Sequence, residues 1–307
     1  MPLDPVAREI AEATSAIVRW GAIPADELRD TMRLLAAPAT IVTVAEVDDR
    51  YIDGPGGSLP IRIYRPSQAR GLPVAIYLHG GGWVFGDLDS ADHACRRLCA
   101  DAGVIVVSVG YRLAPEHRFP AALDDCLAAI DWVRSAGPSL GFDGSSIALV
   151  GDSAGANLAT AATLRCRDLG GEPVRLQVLI YPVTGTPWDD HASYIENRGL
   201  FPNDAAMEFF IDCYIADDDD LTNPYCVPDR ATDLSGLPQA LVVTAEGDPL
   251  RDEGEAYGHR LIEAGVRCEV TRYGGMIHGF YVMDAALAPA RDAQRKVAGL
   301  VRRVLMS

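Results

Sequence analysis

The chain has 307 residues, of which 49% are hydrophobic and 23% charged, and its formal net charge is −16. This composition is typical of a globular protein with one large domain, or with one domain and a small appended piece. The negative charge argues against nucleic acid and against anionic membranes as partners, because both are bound by clustered lysine and arginine. We interpret it as an acidic surface that favours solubility.

The seven cysteines include no CxxC pair, and no histidine or cysteine cluster completes a zinc site. No metal and no other cofactor is therefore expected. The segment Met1–Ile10 carries charged residues and lacks an apolar stretch, so we expect no secretion signal, and no apolar run reaches the length of a membrane span. These features favour reduced thiols and a cytoplasmic location.

The chain opens with two short amphipathic stretches, in which apolar residues recur at helical spacing before residue 36. The pattern then becomes strand-like. Ile41–Val47 and Leu59–Arg65 flank Asp53-Gly54-Pro55-Gly56-Gly57, a turn-rich link that predicts a hairpin.

Beyond the hairpin, short apolar segments alternate with helical ones. The predicted strands are Val74–Leu78, Val104–Val109, Ile147–Val150, Leu176–Tyr181, Ala240–Ala245 and Cys268–Tyr273. The predicted helices are Ala91–Ala102, Ala121–Ser135, Ala154–Leu169, Arg251–Ala264 and Ala285–Leu305. Continuous apolar strands separated by helices predict an α/β protein with a mostly parallel sheet covered on both faces.

One segment interrupts this alternation. Residues 184–230 form an unusually long connection between two sheet strands, with helical character over Asp204–Ile215. Connections of this length in a compact domain often serve as a lid or a binding insertion.

The strongest chemical signal is Ser153 in Gly151-Asp152-Ser153-Ala154-Gly155. A predicted strand precedes this motif and an alanine-rich helix follows it, which is the context that a Gly-x-Ser-x-Gly nucleophile elbow requires. Glycines at both ends allow a tight turn that exposes the hydroxyl at a helix N-terminus, where backbone amides favour an oxyanion. The alternative, a serine that only caps the helix, fits this context less well.

A serine nucleophile needs a base, and the chain has six histidines. His278 lies in a glycine-containing loop just after the last predicted strand, at the sheet edge where ligands of such folds bind. His93 and His259 fall in predicted helices, and His117 lies in another loop. We therefore predict His278 as the base.

The acid of a hydrolase elbow follows the serine and precedes the histidine in the chain. Asp248 meets this order and follows a predicted strand, so we predict that it accepts a hydrogen bond from His278. Glu246, Asp252 and Glu253 are nearby competitors. Asp252 and Glu253 fall in the first turn of a predicted helix, where acidic residues stabilise the helix dipole.

The segment Leu78-His79-Gly80-Gly81-Gly82-Trp83 follows a predicted strand and offers consecutive amides without side chains. Together with the amide of Ala154, such a loop supplies donors to an oxyanion. A glycine triplet also occurs in flexible turns and phosphate loops, but no Lys-Ser or Lys-Thr follows it here.

Several motifs together resemble the bacterial hormone-sensitive-lipase-like carboxylesterases, in the branch with aspartate before the nucleophile. The resemblance extends from about Tyr51 to the C-terminus. The motifs are His79-Gly80-Gly81-Gly82-Trp83, Tyr111-Arg112-Leu113-Ala114-Pro115-Glu116, Gly151-Asp152-Ser153-Ala154-Gly155, Asp248-Pro249-Leu250 and His278-Gly279-Phe280. One departure is Ala156, where the family usually has a second glycine after the elbow.

The resemblance implies an α/β-hydrolase fold, with an eight-stranded, mostly parallel sheet flanked by helices and a helical cap. It implies that residues 1–40 and 184–230 form the cap, while 41–183 and 231–307 form the core. It also implies roles for particular residues. These are a Ser153, Asp248 and His278 triad, an oxyanion hole from the amides of Gly81, Gly82 and Ala154, and a supporting loop in which His79 and Gly80 order the glycines without acting in catalysis.

The expected activity is hydrolysis of small, uncharged carboxylic esters with short acyl chains, through an acyl-enzyme on Ser153. Two alternatives remain open from the residues: a receptor that uses the fold without chemistry, and hydrolysis of an amide by the same triad. A homodimer through the edge strand Cys268–Tyr273 is possible on this pattern. Aromatic residues that are candidates for the pocket are Phe85, Trp188, Phe201, Phe209 and Phe210.

Overall fold

The computed structural model describes residues 2–18, 20, 23–35, 41–186 and 190–307. Within these residues, the strands are β1 Glu46–Gly54, β2 Gly57–Arg65, β3 Leu72–Leu78, β4 Ile105–Val109, β5 Phe142–Asp152, β6 Leu176–Ile180, β7 Gln239–Gly247 and β8 Cys268–Ile277. The α-helices are α1 Pro5–Ile17, α2 Ala25–Leu35, α3 Asp92–Ala102, α4 Ala121–Leu140, α5 Ala154–Asp168, α6 Ala192–Glu196, α7 Asp204–Tyr214, α8 Arg251–Glu263 and α9 Ala288–Leu305.

All eight strands belong to one sheet in the order β1-β2-β4-β3-β5-β6-β7-β8. The β1–β2 and β2–β4 pairs are antiparallel, and every pair from β4 to β8 is parallel. The predicted eight-stranded, mostly parallel sheet flanked by helices is therefore confirmed. Because parallel strands end at the same edge of the sheet, the segments after β3, β5, β7 and β8 meet there.

Helices cover both faces of the sheet. One buried cluster joins the sheet to α4, α5 and α8, through residues such as Ile130, Leu158 and Leu261. The other joins it to α3 and α9, through residues such as Leu98 and Val297. Burial on both faces explains why the central strands are apolar throughout.

The first strand begins later in the chain than the sequence pattern predicts. The predicted strand is Ile41–Val47, but β1 begins at Glu46, and the side chain of Ile41 is exposed. Gly54 pairs with Gly57 across a two-residue turn, which sets the register of the whole hairpin. Pairing with β2 therefore makes a charged segment at the edge of the sheet into a strand. At such an edge, hydrophobicity is a poor guide to the position of a strand.

The last strand is longer than predicted. β8 runs to Ile277, beyond the expected end at Tyr273, and its final residue pairs with Gly247 of β7 after an irregularity in the register. His278 consequently follows the strand directly, and the β7 end that precedes Asp248 lies beside it. The sheet thereby brings the two predicted triad residues to neighbouring strand ends.

The helices outside the alternation contact the sheet edge that carries these strand ends. The amide of Asp4, which caps α1, donates to the carbonyl of Gly275 at 2.9 Å. Helices α6 and α7 lie in the long connection between β6 and β7. Residues 36–40 of the predicted N-terminal cap segment, and the candidate pocket residue Trp188, lie outside the described residues. In the described part of the chain, no helix is long and apolar enough to cross a membrane.

Candidate active site

Ser153 lies in a sharp turn between β5 and α5. Its backbone has φ 55° and ψ −121°, a conformation that is unfavourable for a residue with a side chain. The amide of Ser153 donates to the carbonyl of Ile180 at 2.8 Å, and its own carbonyl accepts from the amide of Ala156 at 2.9 Å. The strained turn is therefore held by β6 on one side and by the first turn of α5 on the other.

The glycines of the motif are required by close backbone contacts. A Cβ atom on Gly151 would lie 2.2 Å from the carbonyl oxygen of Gly155, and one on Gly155 would lie 2.0 Å from that of Leu78. Both distances are far below van der Waals contact, so the turn closes only with glycine at these positions. The atypical Ala156 is fully buried in the core cluster beneath the sheet, so its methyl group is accommodated.

His278 bridges the other two residues of the predicted triad. Its Nε2 lies 2.9 Å from Ser153 Oγ, and its Nδ1 lies 2.8 Å from Asp248 Oδ2. Asp248 is completely buried, and His278 is 5% exposed. The second carboxylate oxygen, Asp248 Oδ1, accepts from the amide of Leu250 at 2.9 Å, which fixes its orientation. The structure thus brings all three residues together in one hydrogen-bonded chain.

The competing carboxylates have other partners. Asp252 accepts from the amide of Ser193, and Glu253 accepts from the amides of Thr184 and Gly185. Among the competing histidines, His93 pairs with Asp284 at 2.5 Å, away from the elbow. In the described residues, only Asp248 supplies a carboxylate to His278.

The glycine loop after β3 runs beside the elbow. Gly81 and Gly82 have φ values of +121° and +58°, which glycine adopts readily. No acceptor for the amides of Gly81 and Gly82 is found among the residues that the structure describes. Ala154 is the first residue of α5, and the amides of a first helical turn lack an acceptor within their helix. The three predicted oxyanion donors are therefore left for another acceptor.

His79 supports this loop from beneath. Its Nδ1 lies 2.8 Å from the carbonyl oxygen of Gly80, and its ring stacks on Tyr111 at 4.2 Å between centroids. The Tyr111 hydroxyl also donates to the carbonyl of His79 at 2.6 Å. Burial lowers the pKa of His79 and so favours its neutral form, whose Nδ1–H tautomer donates to the carbonyl of Gly80. These contacts are those of a residue that orders the loop.

Asp152 links the glycine loop to the elbow. Its Oδ1 accepts from the amide of Gly80 at 3.1 Å and from the Tyr77 hydroxyl at 2.9 Å. Burial raises the pKa of Asp152 to about 6, against the opposing effect of these hydrogen bonds. The carboxyl group of Asp152 therefore connects the end of β5, next to Ser153, with the loop that carries the predicted oxyanion donors.

Aromatic side chains from three parts of the chain surround the reacting groups. The ring of Phe201 lies 5.6 Å from that of His278, edge to face, and stacks on Trp20 at 5.1 Å. Phe210 packs so closely against the glycine loop that a Cβ on Gly82 would lie 2.3 Å from its ring. Phe85 and Phe209 also pack on Phe210. Four of the candidate pocket aromatics therefore form one group beside the triad.

Two asparagines that the sequence does not single out hold the segments next to the triad. Asn157 donates from Nδ2 to the carbonyls of Val183 and Cys226, which joins α5 to both ends of the long connection. Asn197 donates to the carbonyl of Asp248 at 3.0 Å and holds the acid loop. Neither position carries a sequence signal, because a lone asparagine in a helix or loop has no characteristic spacing.

The model of a protein family with the alpha/beta hydrolase fold matches residues 75–282 of this chain. Esterase LipI of Mycobacterium tuberculosis is 44% identical over 80% of this chain and 77% of its own length. Carboxylesterase NlhH of the same organism is 36% identical over 99% of this chain and 96% of its own length. A hyperthermophilic esterase from the archaeon Pyrobaculum calidifontis superposes with a TM-score of 0.95 at 39% identity, covering 100% of both chains.

Proposed function

Because this chain belongs to the hormone-sensitive-lipase-like carboxylesterases of the α/β-hydrolase fold, we propose that Ser153, His278 and Asp248 carry out its reaction on short-chain acyl esters. The protein is a carboxylic ester hydrolase. The single observation that supports the residue assignment is the imidazole of His278, which lies within hydrogen-bond distance of both Ser153 Oγ and Asp248 Oδ2.

In the acylation step, Ser153 Oγ attacks the ester carbonyl carbon while its proton passes to His278 Nε2. The new imidazolium donates from Nδ1 to Asp248, whose negative charge stabilises it. The carbonyl oxygen becomes an oxyanion and accepts from the amides of Gly81, Gly82 and Ala154. When the tetrahedral intermediate collapses, the bond to the leaving oxygen breaks, and His278 returns the proton to the departing alcohol.

In the deacylation step, a water molecule takes the place of the alcohol. His278 Nε2 removes a proton from this water, and the resulting hydroxide attacks the acyl carbon. The second tetrahedral intermediate uses the same three amides. Its collapse releases the carboxylic acid and returns the proton to Ser153 Oγ.

The direct test is the variant Ser153→Ala, with turnover of p-nitrophenyl butyrate as the measurement. We expect kcat to fall by a factor on the order of 10⁴–10⁶, because no nucleophile remains. The control is Ser139→Ala, which removes an exposed serine near the end of α4 and should leave turnover unchanged. A fluorophosphonate probe should label the parent protein and leave Ser153→Ala unlabelled. Turnover by Ser153→Ala near the parent rate would exclude the assignment, and absence of labelling in the parent would favour the receptor alternative.

We also propose that residues 1–40 and 184–230 form a cap that limits the length of the acyl chain. This is supported by the contacts of Trp20, Phe201 and Phe210, which come from these two segments and pack on one another beside His278. A pocket closed by bulky rings favours short chains over long ones. The measurement is a panel of p-nitrophenyl esters, and faster hydrolysis of palmitate than of butyrate would contradict the proposal. Parallel assays with matched amides test the amide alternative.

We further propose a cytoplasmic protein that forms a homodimer through β8. All seven cysteines are free thiols, as is common in a reducing compartment. β8 stands at one end of the sheet and pairs only with β7 among the described strands, so its outer edge offers backbone groups to a second copy. Analytical ultracentrifugation measures the oligomeric state, and a monomer at micromolar concentration would exclude the dimer. Fractionation of the source cells tests the location.

A further inference from the structure

Tyr181 has an unfavourable backbone conformation next to the proposed active site. In the described part of the chain, the residues other than glycine with positive φ are Trp83, Ser153 and Tyr181. Ser153 is the proposed nucleophile, and Trp83 belongs to the glycine loop. Tyr181, with φ +36°, is the first residue after β6 and has no role in the reaction as described above. Such backbone strain persists where the surrounding structure enforces it, often at functional sites.

The hydroxyl of Tyr181 carries a second unfavourable feature. The side chain is 1% exposed, and its hydroxyl has no hydrogen-bond partner among the residues that the structure describes. Buried hydroxyl groups in proteins are normally hydrogen-bonded, since burial removes them from water. The contacts of the aromatic ring are therefore the remaining feature of Tyr181 to consider.

The ring of Tyr181 packs against the imidazole of His278. Their centroids are 4.6 Å apart, and the ring planes are inclined by 51°. The ring of Phe280, two residues after the histidine, also packs on Tyr181, with 6.0 Å between the ring centroids. Aromatic contacts at these distances and angles are favourable, and they are also sterically restrictive.

The backbone at Tyr181 is fixed to the strands that carry the other two triad residues. The carbonyl of Ile180 accepts from the amide of Ser153 at 2.8 Å, and the amide of Tyr181 donates to the carbonyl of Val243 in β7 at 2.6 Å. β7 leads to Asp248. The position of the Tyr181 ring is therefore set by the same backbone bonds that set the separation between nucleophile and acid.

The imidazole of His278 is joined to its backbone through the Cα–Cβ and Cβ–Cγ bonds, and both permit rotation. Its two hydrogen bonds, to Ser153 Oγ and to Asp248 Oδ2, oppose such a rotation. Rotation of the ring moves Nε2 out of line with Ser153 Oγ. The ring of Tyr181, packed on the imidazole at 4.6 Å between centroids, restricts that movement sterically.

We propose that Tyr181 is a positioning residue for the general base, whose ring restricts rotation of the His278 imidazole and so keeps Nε2 aligned with Ser153 Oγ. This inference rests on the proposed function, because it acts through His278.

The test compares Tyr181→Leu, which removes the ring, with Tyr181→Phe, which keeps the ring and removes only the unpaired hydroxyl. For Tyr181→Leu we expect kcat for p-nitrophenyl butyrate to fall about 10- to 100-fold, with KM within about twofold of the parent value. For Tyr181→Phe we expect kcat within about threefold of the parent. A loss in both variants, or an increase in KM alone, would overturn the proposal.

A spectroscopic measurement separates positioning from general destabilisation. The proton shared by His278 Nδ1 and Asp248 should give a far-downfield NMR resonance in the parent and in Tyr181→Phe. In Tyr181→Leu we expect this resonance to broaden or vanish, because the imidazole moves. An unchanged sharp resonance in a folded Tyr181→Leu protein would overturn the proposal. If the leucine variant does not fold, Tyr181→Met serves in its place, since a flexible unbranched side chain fills the same space.

The two hypotheses fail in different ways. If Ser153→Ala retains activity, the proposed function is wrong, whatever Tyr181 does. If Ser153→Ala is inactive but Tyr181→Leu is folded and keeps kcat within about threefold of the parent, the proposed function stands and the positioning role is wrong.

Discussion

Asp152 accepts a hydrogen bond from the amide of Gly80 at 3.1 Å, across 72 residues of sequence. The contact is tight, because a Cβ atom on Gly80 would lie 2.4 Å from Asp152 Oδ2. The residue before the proposed nucleophile thus holds the loop that carries the proposed oxyanion donors. This hydrogen bond therefore couples the turn at Ser153 to the glycine loop after β3.

The variant Asp152→Ala tests this link. Loss of the acceptor frees the amide of Gly80, so we expect kcat to fall about 10- to 100-fold as the glycine loop shifts. Asp152→Asn keeps a carbonyl oxygen that can accept from both Gly80 and Tyr77, and we expect it to stay within about threefold of the parent. Steady-state kinetics with p-nitrophenyl butyrate measure both variants. Equal losses would show that the charge of Asp152 matters and that the hydrogen bond does not.

Gly82→Ala tests the oxyanion loop. The new Cβ would collide with the ring of Phe210 at 2.3 Å, and φ +58° disfavours alanine, so the amide at this position must move. We expect a loss of about 10²–10³ in kcat, the effect of removing one oxyanion donor. Gly265→Ala is the matched control, since it has φ +81° with no atom within 4 Å of its Cβ. A loss of kcat in both variants would indicate backbone strain alone as the cause.

Arg29 joins α2 to the region around the glycine loop. Its guanidinium donates to the carbonyls of Val84 at 2.7 Å and Ala114 at 2.9 Å, and pairs with both oxygens of Glu116. The bond from Arg29 holds the pKa of Glu116 at about 2. We expect Arg29→Ala to lower the free energy of unfolding by about 1–3 kcal/mol and to reduce kcat several-fold, because charged donors to carbonyls are lost.

The control for Arg29→Ala lies on the same helix. Among the described residues, Arg33 forms ion pairs with Asp30 and Asp87, both at the protein surface, so Arg33→Ala should change the free energy of unfolding by less than about 1 kcal/mol. Urea denaturation measures stability, and ester hydrolysis measures kcat. If both variants behave alike, the carbonyl contacts of Arg29 contribute nothing of their own.

Glu253 makes the stability of the protein depend on pH. Burial raises its pKa from 4.5 to about 8, while Tyr194, Thr184 and Gly185 bind its oxygens and oppose the shift. Between pH 4.5 and about pH 8, Glu253 keeps a proton in the folded protein that the unfolded chain releases. The free energy of unfolding therefore falls as pH rises through this window, by up to about 1.4 kcal/mol per pH unit from this one group.

The variant Glu253→Gln removes that dependence, since glutamine has the shape of the protonated acid and does not titrate. We expect the difference in free energy of unfolding, variant minus parent, to grow from pH 5.5 to pH 7.5 as the parent loses stability. Urea denaturation at several pH values measures it. Asp152 has its own raised pKa in both proteins, so its contribution cancels in the difference. A difference that does not vary with pH would show that Glu253 is ionised in the folded protein throughout.

The sequence by itself determined the chemistry and its order along the chain. Ser153, Asp248 and His278 could be singled out because each follows a predicted strand, and parallel strands end at one edge of a sheet. The glycines at 151 and 155 were informative because a Cβ atom at either position would lie within 2.2 Å of a backbone carbonyl oxygen, and only glycine avoids that contact. Local rules of this kind are visible in a single sequence.

Only the tertiary structure decided which residues support that chemistry. The first strand was misplaced because β1 is charged and its position is set by pairing with β2, which is a contact between segments. Tyr181 looked like the last residue of an apolar strand, yet its φ of +36° and its packing on His278 depend on hydrogen bonds to β7 and on a loop about 100 residues away. The same holds for Asp152 and Gly80. Such contacts join residues with no fixed spacing in the chain, so no periodicity or motif predicts them. Only the fold brings these residues together.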